Sequence, residues 1–338
     1  MSTTPAPTPE RPWLVADIGG TNARFGLVTA PAGMPERVHT LACADHPDLP
    51  SAVTAYLAGA AAPRPVAGCV ALAGPVSGDR VRLTNGPWEF SVPETRRRLE
   101  LEALALVNDF AALSLSLPRL SGSDLRAVGG PALDPGLPMA VLGPGTGLGV
   151  AGLVPAGDRW VPVSGEGGHV DLPVVDDREI EVMRLLRRRH GTVSAENVLS
   201  GTGLERLHGA LREVGGLAAG PAESIRPAQP VNAAEICTAA VAGTDQSCVD
   251  TLSMFCALLG GFAGNVALTL GARGGVFLGG GVLPRIADFL DTSDFRRRFE
   301  AKPEMAAYVE AIATTLVITP TPALRGAAVW LEQSGRKP

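Results

Sequence analysis

The sequence has little cysteine and histidine, and neither residue occurs in the spacing of a metal site. The five cysteines are scattered and odd in number, and neither a C-x-x-C pair nor an H-E-x-x-H motif is present. A disulfide framework and a structural zinc site are therefore not indicated. Isolated cysteines suit a reducing compartment, so we expect a cytoplasmic protein.

The chain also lacks an excess of basic charge. Its formal net charge is −5, whereas non-specific binding to nucleic acid requires a basic surface. Three arginine triplets, at 96–98, 187–189 and 296–298, lie in segments with helical character. We expect them to form solvated helix faces, and we do not expect nucleic acid as a partner.

Long hydrophobic runs are rare as well. One uncharged segment, 251–272, is long enough to cross a membrane, but it contains Asn265 and several glycines, and no second such span occurs. We expect a buried core helix that packs closely on another helix, and no membrane association. The first twelve residues, "MSTTPAPTPERP", have no apolar core, so they predict a flexible tail rather than a signal peptide.

What the sequence does contain is an alternation of strand and helix patterns over 338 residues, of which 46% are hydrophobic. The predicted strands are 13–18, 24–29, 66–73, 104–107, 139–142, 275–278 and 315–318. The predicted helices are 109–117, 178–189, 195–214, 233–241, 248–270 and 323–333. This alternation predicts α/β architecture in one large or two ordinary domains.

The stretch "DIGGTNARFGLV" near the start is a strand, a tight glycine turn and a second strand. Glycine allows the backbone N–H groups of Gly19 and Gly20 to approach an oxyanion closely, and Thr21 and Asn22 add side-chain donors. Asp17 would repel a bare phosphate, but the arrangement is sensible if Mg²⁺ lies between them. The alternative from this stretch alone is an ordinary β-hairpin with a surface aspartate.

Two further glycine-rich turns follow strands. "GPGTGLG" at 143–149 resembles the first turn, and this echo suggests two related lobes with a cleft between them. It has no lysine, so a Walker-type nucleotide site is not indicated, and it lacks the G-x-G-x-x-G spacing of a dinucleotide fingerprint. "FLGGGVLPRI" at 277–286 exposes backbone at a strand end, which suits the approach of a base or ribose.

Short polar side chains are also placed where packing does not require them. They are Asn85, Asn108, Asp109, Glu166, His169 and Glu196. Such donors and acceptors suit a polyhydroxylated ligand. Each has a structural alternative: Asp109 as a helix N-cap, Glu196 as a first-turn helix acid, and His169 as a structural histidine.

Seven blocks, in order, resemble the bacterial glucokinases of the hexokinase superfamily. They are "ADIGGTNARFGL", "LTNGPWEFS", "LVNDFAALSLSLP", "GPGTGLGVAGLV", "GEGGHVDLP", "SAENVLSGTGLERL" and "GGVFLGGGVLPR". The resemblance extends from about residue 13 to residue 330. The cysteine-rich zinc motif of the repressor/ORF/kinase group is absent.

The resemblance implies a two-lobed actin-like ATPase (ribonuclease H-like) fold around a central cleft. A small α/β lobe would comprise 1–119, with the C-terminal helix 321–338 returning to it, and a larger α+β lobe would comprise 120–320. It also implies a homodimer. The implied activity is ATP-dependent phosphorylation of the 6-hydroxyl of D-glucose, giving glucose 6-phosphate and ADP as the first step of glycolysis.

The resemblance further assigns roles to the residues that match its motifs. Asp109 would be the catalytic base, and the sugar would be bound by Asn85, Asn108, Asp109, Glu166, His169 and Glu196. ATP would be bound by Asp17, Gly19, Gly20, Thr21, Asn22, Gly145, Thr146, Gly147, Gly279, Gly280 and Gly281, and Asp17 would hold Mg²⁺ through water. This sequence departs from the pattern at Pro144, where a small residue is more familiar, and at Thr202, where a proline often occurs.

Two alternatives remain at this point. One is a kinase of the same fold that acts on another hexose or uses another phosphoryl donor, which a panel of sugars and donors would reveal. The other is a non-catalytic sugar sensor, which should carry an added DNA-binding module.

Overall fold

The computed structural model describes residues 4–74, 78–83, 86–215 and 231–335. The chain divides into two compact units. The first takes the described residues of Met1–Leu120, Leu153–Ser164 and Thr319–Pro338, and the second takes those of Ser121–Gly152 and Gly165–Ile318.

Strands and helices alternate along the described chain. The strands are β1 (Trp13–Ile18), β2 (Asn22–Val28), β3 (Glu36–Ala42), β4 (Ala67–Leu72), β5 (Arg80–Arg82), β6 (Glu89–Ser91), β7 (Ala103–Asn108), β8 (Leu125–Gly129), β9 (Met139–Pro144), β10 (Leu148–Ala156), β11 (Arg159–Ser164), β12 (Gly275–Leu278) and β13 (Thr314–Val317). The α-helices are α1 (Leu49–Gly59), α2 (Val92–Arg98), α3 (Asp109–Ser116), α4 (Asp177–His190), α5 (Gly201–Val214), α6 (Ala233–Val241), α7 (Gln246–Leu270), α8 (Ala287–Thr292), α9 (Phe295–Glu300), α10 (Ala306–Glu310) and α11 (Pro322–Gly335).

The first unit is built on a five-stranded sheet with the order β3-β2-β1-β4-β7. Strand β1 pairs antiparallel with β2 and parallel with β4, and β4 pairs parallel with β7. Parallel strands need covered faces, and alternate residues of β1 supply apolar side chains to both faces. Leu14 and Ala16 join the core that contains α1, whereas Trp13 and Val15 join the core that contains α11.

The second sheet has the order β11-β10-β9-β12-β13-β8. Strand β12 is parallel to both β9 and β13, and β8 is antiparallel to β13 at the edge. Its first five positions therefore repeat the strand order of the other sheet, with three consecutive strands side by side followed by two further strands. This repeat confirms that the two glycine turns noted in the sequence occupy equivalent places in two related sheets.

The long apolar segment forms α7, the central helix of the second unit. It is long and apolar enough to cross a membrane by length and composition, but 72% of its most apolar window is buried within the protein. Gly260 and Gly264 let α9 approach closely, because a Cβ at these positions would lie 2.1 Å from the carbonyl oxygen of Phe295 and 2.5 Å from that of Phe299. The prediction of a buried core helix packed closely on another helix is confirmed.

Three sequence expectations are wrong. Helix α5 begins at Gly201 with Ser200 as its N-cap, not near residue 195. Arg298 of the third arginine triplet is buried and pairs with buried Glu179, so this triplet is not a solvated face. The described part of the N-terminal segment packs on the first unit, because the indole N–H of Trp13 donates to the Pro5 carbonyl (2.7 Å).

Candidate functional site

The first glycine turn joins β1 to β2 through only three residues, Gly19, Gly20 and Thr21. The Gly19 N–H donates to the carbonyl of Asn22 (3.0 Å), and the Thr21 carbonyl accepts from the N–H of Cys43 (2.8 Å). Thr21 and Asn22 are exposed. The turn is thus fixed by its backbone while its polar side chains remain accessible to a ligand.

Asp17 lies one residue before the end of β1, directly opposite Arg24 of β2. Arg24 Nη1 is 3.3 Å from Asp17 Oδ2, and Arg24 is the more exposed of the two side chains. Burial raises the pKa of Asp17, and the neighbouring Arg24 charge opposes that shift. Arg24 is absent from the predicted site, although a turn in which Gly19 lies opposite Asn22 pairs positions 17 and 24 across the hairpin.

Asn108 and Asp109 join the end of β7 to the start of α3. The Asn108 side chain is the N-cap: its Oδ1 accepts from the N–H groups of Phe110 (3.0 Å) and Ala111 (3.1 Å), and its Nδ2 donates to the Gly74 carbonyl (3.2 Å). The alternative that Asp109 is the N-cap is therefore wrong. The half-buried Asp109 is the first residue of α3, where the positive end of the helix dipole favours an ionised carboxylate.

The strand register brings these residues to one edge of the sheet. Ile18, Leu72 and Asn108 end three adjacent parallel strands in register. With strands about 4.8 Å apart, the ends of β1 and β7 are separated by about 10 Å. The first hairpin and the start of α3 consequently lie at the same carboxyl edge of the sheet.

Asn85 lies outside the described residues, but both flanks of its loop are described. The Leu83 N–H donates to the Trp88 carbonyl (3.1 Å), which closes the loop. The buried Trp88 indole donates to the His46 carbonyl (2.9 Å). A Cβ on Gly86 would lie 3.3 Å from the Gly20 carbonyl oxygen, so Gly86 lies against the first glycine turn.

The second glycine turn, in the second unit, joins β9 to β10 through Gly145, Thr146 and Gly147. The Gly145 N–H donates to the Gly147 carbonyl (2.8 Å), and the Gly145 carbonyl accepts from the Gly201 N–H at the start of α5 (2.8 Å). Thr146 is exposed. Pro144 is the last residue of β9, and its missing N–H is therefore outside the turn.

Glu196 is bound directly to this turn. Its Oε2 accepts from the Leu148 N–H (2.9 Å), and a Cβ on Gly147 would lie only 2.4 Å from the same oxygen. Glu196 precedes α5 by five residues, so the alternative that it is a first-turn helix acid is wrong. Its position follows from contact with β10 rather than from a helix dipole.

Two other predicted polar residues lie beside Glu196. His169 Nδ1 is 4.0 Å from Glu196 Oε1, and the Glu196 N–H donates to the Gly168 carbonyl (2.8 Å). The His169 N–H donates to the Glu166 carbonyl (3.0 Å), and the side chains of His169 and Glu166 are exposed. The second unit therefore brings Glu166, His169 and Glu196 together next to a glycine turn.

The third glycine turn, Gly279 to Gly281, lies against the second at backbone distance. The Gly279 N–H donates to the Leu142 carbonyl (2.8 Å), and the Val282 N–H donates to the Pro144 carbonyl (3.2 Å). A Cβ on Gly143 would lie 2.3 Å from the carbonyl carbon of Gly279, and Gly280 has a left-handed φ of 79°. Glycine is required on both sides because nothing but backbone fits between the two turns.

The residues present fit a magnesium ion that is bound jointly with phosphate. In the described ranges no group of three or more His, Cys, Asp or Glu side chains could hold a metal ion alone. Mg²⁺, however, commonly uses one or two carboxylates, retained waters and substrate phosphates. Asp17, a partly buried carboxylate beside the first turn, matches that requirement.

Comparisons with known proteins agree on one family. The glucokinase family model matches residues 14–334. The chain is 46% identical over 326 residues to a glucokinase of Aromatoleum aromaticum (96% of this chain, 95% of the relative). It is 45% identical over 334 residues to a glucokinase of Neisseria meningitidis serogroup B (98% of both).

Solved structures resemble the chain along nearly all of its length. A glucokinase from an Antarctic psychrotroph is 39% identical with a TM-score of 0.85 (95% of this chain, 99% of that chain). A ROK family glucokinase from Streptomyces griseus, solved with glucose and AMPPNP, is 20% identical with a TM-score of 0.62 (95% and 99%). The predicted actin-like fold class is confirmed by these neighbours.

Proposed function

Because the chain belongs to the glucokinase family, it is an ATP-dependent glucose kinase, and we propose that Asp109 is its catalytic base. The single observation that best supports the proposed site is the bond between Glu196 and the second glycine turn. The Glu196 carboxylate, which suits sugar hydroxyls, accepts a hydrogen bond from the backbone directly after the turn that suits phosphate. Sugar and phosphate subsites that adjoin in this way are what a sugar kinase requires.

We propose that the sugar hydroxyls are bound by Asn85, Asn108, Asp109, Glu166, His169 and Glu196. Asn108 has a limited part in this, because its Oδ1 already accepts two backbone N–H groups and its Nδ2 donates to Gly74. One amide N–H of Asn108 remains for a sugar oxygen. Glu196, whose Oε2 accepts the Leu148 N–H, retains acceptor capacity for a hydroxyl.

We propose that the triphosphate is bound by Gly19, Gly20, Thr21 and Asn22 of the first turn and by Gly145, Thr146 and Gly147 of the second. Gly279, Gly280 and Gly281 would contact the adenosine. Asp17 would hold Mg²⁺ through water, and the metal when bound would offset charge on the phosphate oxygens. Arg24, beside Asp17, adds a positive charge at the same edge and keeps Asp17 from facing the phosphates as an isolated anion.

In the proposed reaction, Asp109 receives the proton of the 6-hydroxyl as the sugar oxygen attacks the γ-phosphorus of ATP. A bond forms between that oxygen and phosphorus, the bond to the β,γ-bridging oxygen breaks, and ADP leaves. Phosphoryl transfer depends mainly on positioning and electrostatics, so the base needs to accept the proton only late. The start of α3 holds the Asp109 carboxylate in place for this transfer.

The test is the rate of glucose 6-phosphate formation, coupled to NADP reduction, in the wild type and in Asp109→Asn. General-base help is worth about 10²–10⁴-fold, so turnover should fall by that factor while glucose still binds. Asp288→Asn, an equal change at a highly exposed carboxylate, is the matched control. Wild-type turnover in folded Asp109→Asn would exclude Asp109 as the base.

We also propose the cellular setting. The two compact units would be the small and large lobes of the enzyme, and the chain would act as a homodimer in the cytoplasm at the first step of glycolysis. All five cysteines are buried free thiols, which supports a reducing compartment.

A further inference from the structure

The second unit exposes an apolar patch that the proposed reaction does not use. Val170, Val175 and Ile180 are 53%, 67% and 40% exposed. Ile180 also lines a groove of about 460 Å³, together with Leu172, Val174, Met183, Arg184, Arg187 and Arg188. Contiguous exposed apolar surface rimmed by polar residues commonly marks an interaction site.

Helix α4 borders this groove, and four of its exposed charges are separated by sign into its two halves. Asp177 and Glu181 lie in the N-terminal half, and Arg184 and Arg188 in the C-terminal half. The spacing of these four residues, with Ile180 among them, places them along one exposed stripe of the helix. The patch therefore has an acidic half, which includes Ile180, and a basic half.

None of these four charges has an ion pair or hydrogen bond within the described residues, whereas two other arginines of the same helix do. Arg178 pairs with Asp250, and Arg189 pairs with Glu213. Charges of the stripe are thus left available, together with Arg187, which also lines the groove and pairs with none of the described residues. A partner of a single charge sign, such as an acidic peptide or an anionic membrane, would be repelled by one of the two halves.

A second copy of the same helix has the matching charge order when it lies antiparallel. The pair Asp177 and Arg188 and the pair Glu181 and Arg184 have the same midpoint, between residues 182 and 183. A two-fold axis at that midpoint places Asp177 opposite Arg188 of the partner subunit and Glu181 opposite Arg184 of the partner subunit. Each contact occurs twice, as an isologous interface requires.

We propose that this α4 face, formed by Val170, Val175, Ile180 and the four charges, is the surface on which two copies of the chain associate. The inference rests on the proposed homodimer and adds the location and the pairing of its interface. The apolar residues add buried contact beside the charged pairs, and the separated charges fix the antiparallel orientation.

Two complementary charge variants test the pairing. One carries Asp177→Lys with Glu181→Lys, which makes the stripe wholly basic, and the other carries Arg184→Glu with Arg188→Glu, which makes it wholly acidic. Each variant alone should dissociate at concentrations where the wild type is dimeric, with the dissociation constant raised by about 10²-fold or more. Mixed in equal amounts, they should form a heterodimer, because every cross-axis pair is then of opposite sign.

Mass in solution is measured by light scattering after size exclusion, and glucose kinase activity with circular dichroism shows that each variant is folded. Arg273→Glu and Glu304→Lys change exposed, unpaired charges elsewhere in the same unit and should leave the dimer intact. A monomeric wild type would overturn the homodimer itself. A dimeric wild type whose two charge variants also stay dimeric, or whose folded variants stay monomeric when mixed, would overturn the α4 interface alone.

Discussion

The substitution Gly147→Ala tests how closely the proposed sugar and phosphate subsites are joined. A Cβ at this position would lie 2.4 Å from Glu196 Oε2 and 3.2 Å from its Cδ, where ordinary contact begins at 3.4 Å. Gly147 does not have a left-handed φ, so alanine is compatible with the turn itself. The collision therefore falls on the carboxylate, which must move by about 1 Å and give up its bond from the Leu148 N–H.

The expected loss is in glucose recognition rather than in stability. Because the carboxylate is the free end of a flexible side chain, the free energy of unfolding should fall by only about 1 kcal/mol, the value of one hydrogen bond. A displacement of about 1 Å in a catalytic site can cost about 10²-fold in rate. We therefore expect kcat/KM for glucose to fall by about 10²-fold, which corresponds to roughly 2.7 kcal/mol.

The assay is coupled glucose 6-phosphate formation over a glucose series at saturating ATP, with a denaturant unfolding curve for each protein. Gly209→Ala is the matched control, since a Cβ at this position in α5 meets no atom within 4 Å. An unchanged kcat/KM for glucose in folded Gly147→Ala would refute the role of the Glu196 carboxylate.

Three further substitutions probe stability. Glu179→Ala leaves Arg298 buried without its partner, so the free energy of unfolding should fall by about 3–5 kcal/mol in a urea titration. Gly326→Ala places a Cβ 1.6 Å from the Ala112 carbonyl oxygen, and overpacking α11 against α3 should cost about 1–3 kcal/mol by the same titration. Burial lowers the pKa of His208 below its ordinary 6.5. The stabilising contribution of the neutral imidazole is therefore present above pH 6.5 and is lost as pH falls through the folded pKa. The melting temperature should decline with it, and His208→Gln should flatten that decline.

Each of these has its own control. Replacing Glu179 by Leu together with Arg298 by Met should recover most of the loss, and failure to do so would show that the single variant fails for another reason. Gly59→Ala, in open space on α1, should not destabilise, and a loss equal to that of Gly326→Ala would argue against the α3 collision. If the melting temperature of His208→Gln declines at low pH as in the wild type, other titrating groups cause that decline.

Much of the fold was predictable because its strands are short apolar runs with glycine beyond them. The sequence patterns at 13–18 and 275–278 match β1 and β12 to the residue. Strand β3 was missed because its side chains are largely exposed, which leaves no apolar alternation to detect. The start of α5 was misplaced because Ala195 and Glu196 continue a helical pattern, while their backbone N–H groups bond to the Val170 and Gly168 carbonyls instead.

Contacts between distant segments explain what the sequence could not predict. The burial of Arg298 depends on Glu179, which precedes it by 119 residues, so periodicity within α9 gives no sign of it. Asn108 and Asp109 are equally good N-caps by residue type. Only the register of β7 against its neighbours decides that Asn108 caps α3 and that Asp109 becomes the first residue of the helix.

The backbone contact between the second and third glycine turns fixes the distance between them. No side chain lies between Gly143 and Gly279 or between Pro144 and Gly280, so no rotamer can lengthen or shorten the span from the proposed phosphate turn to the proposed adenosine turn. A donor bound as proposed would meet two turns at a fixed separation, and their backbone would need little ordering on binding. In the proposed site, a donor of different length would require a shift in the main chain of β9 or β12, because no side chain sets this separation.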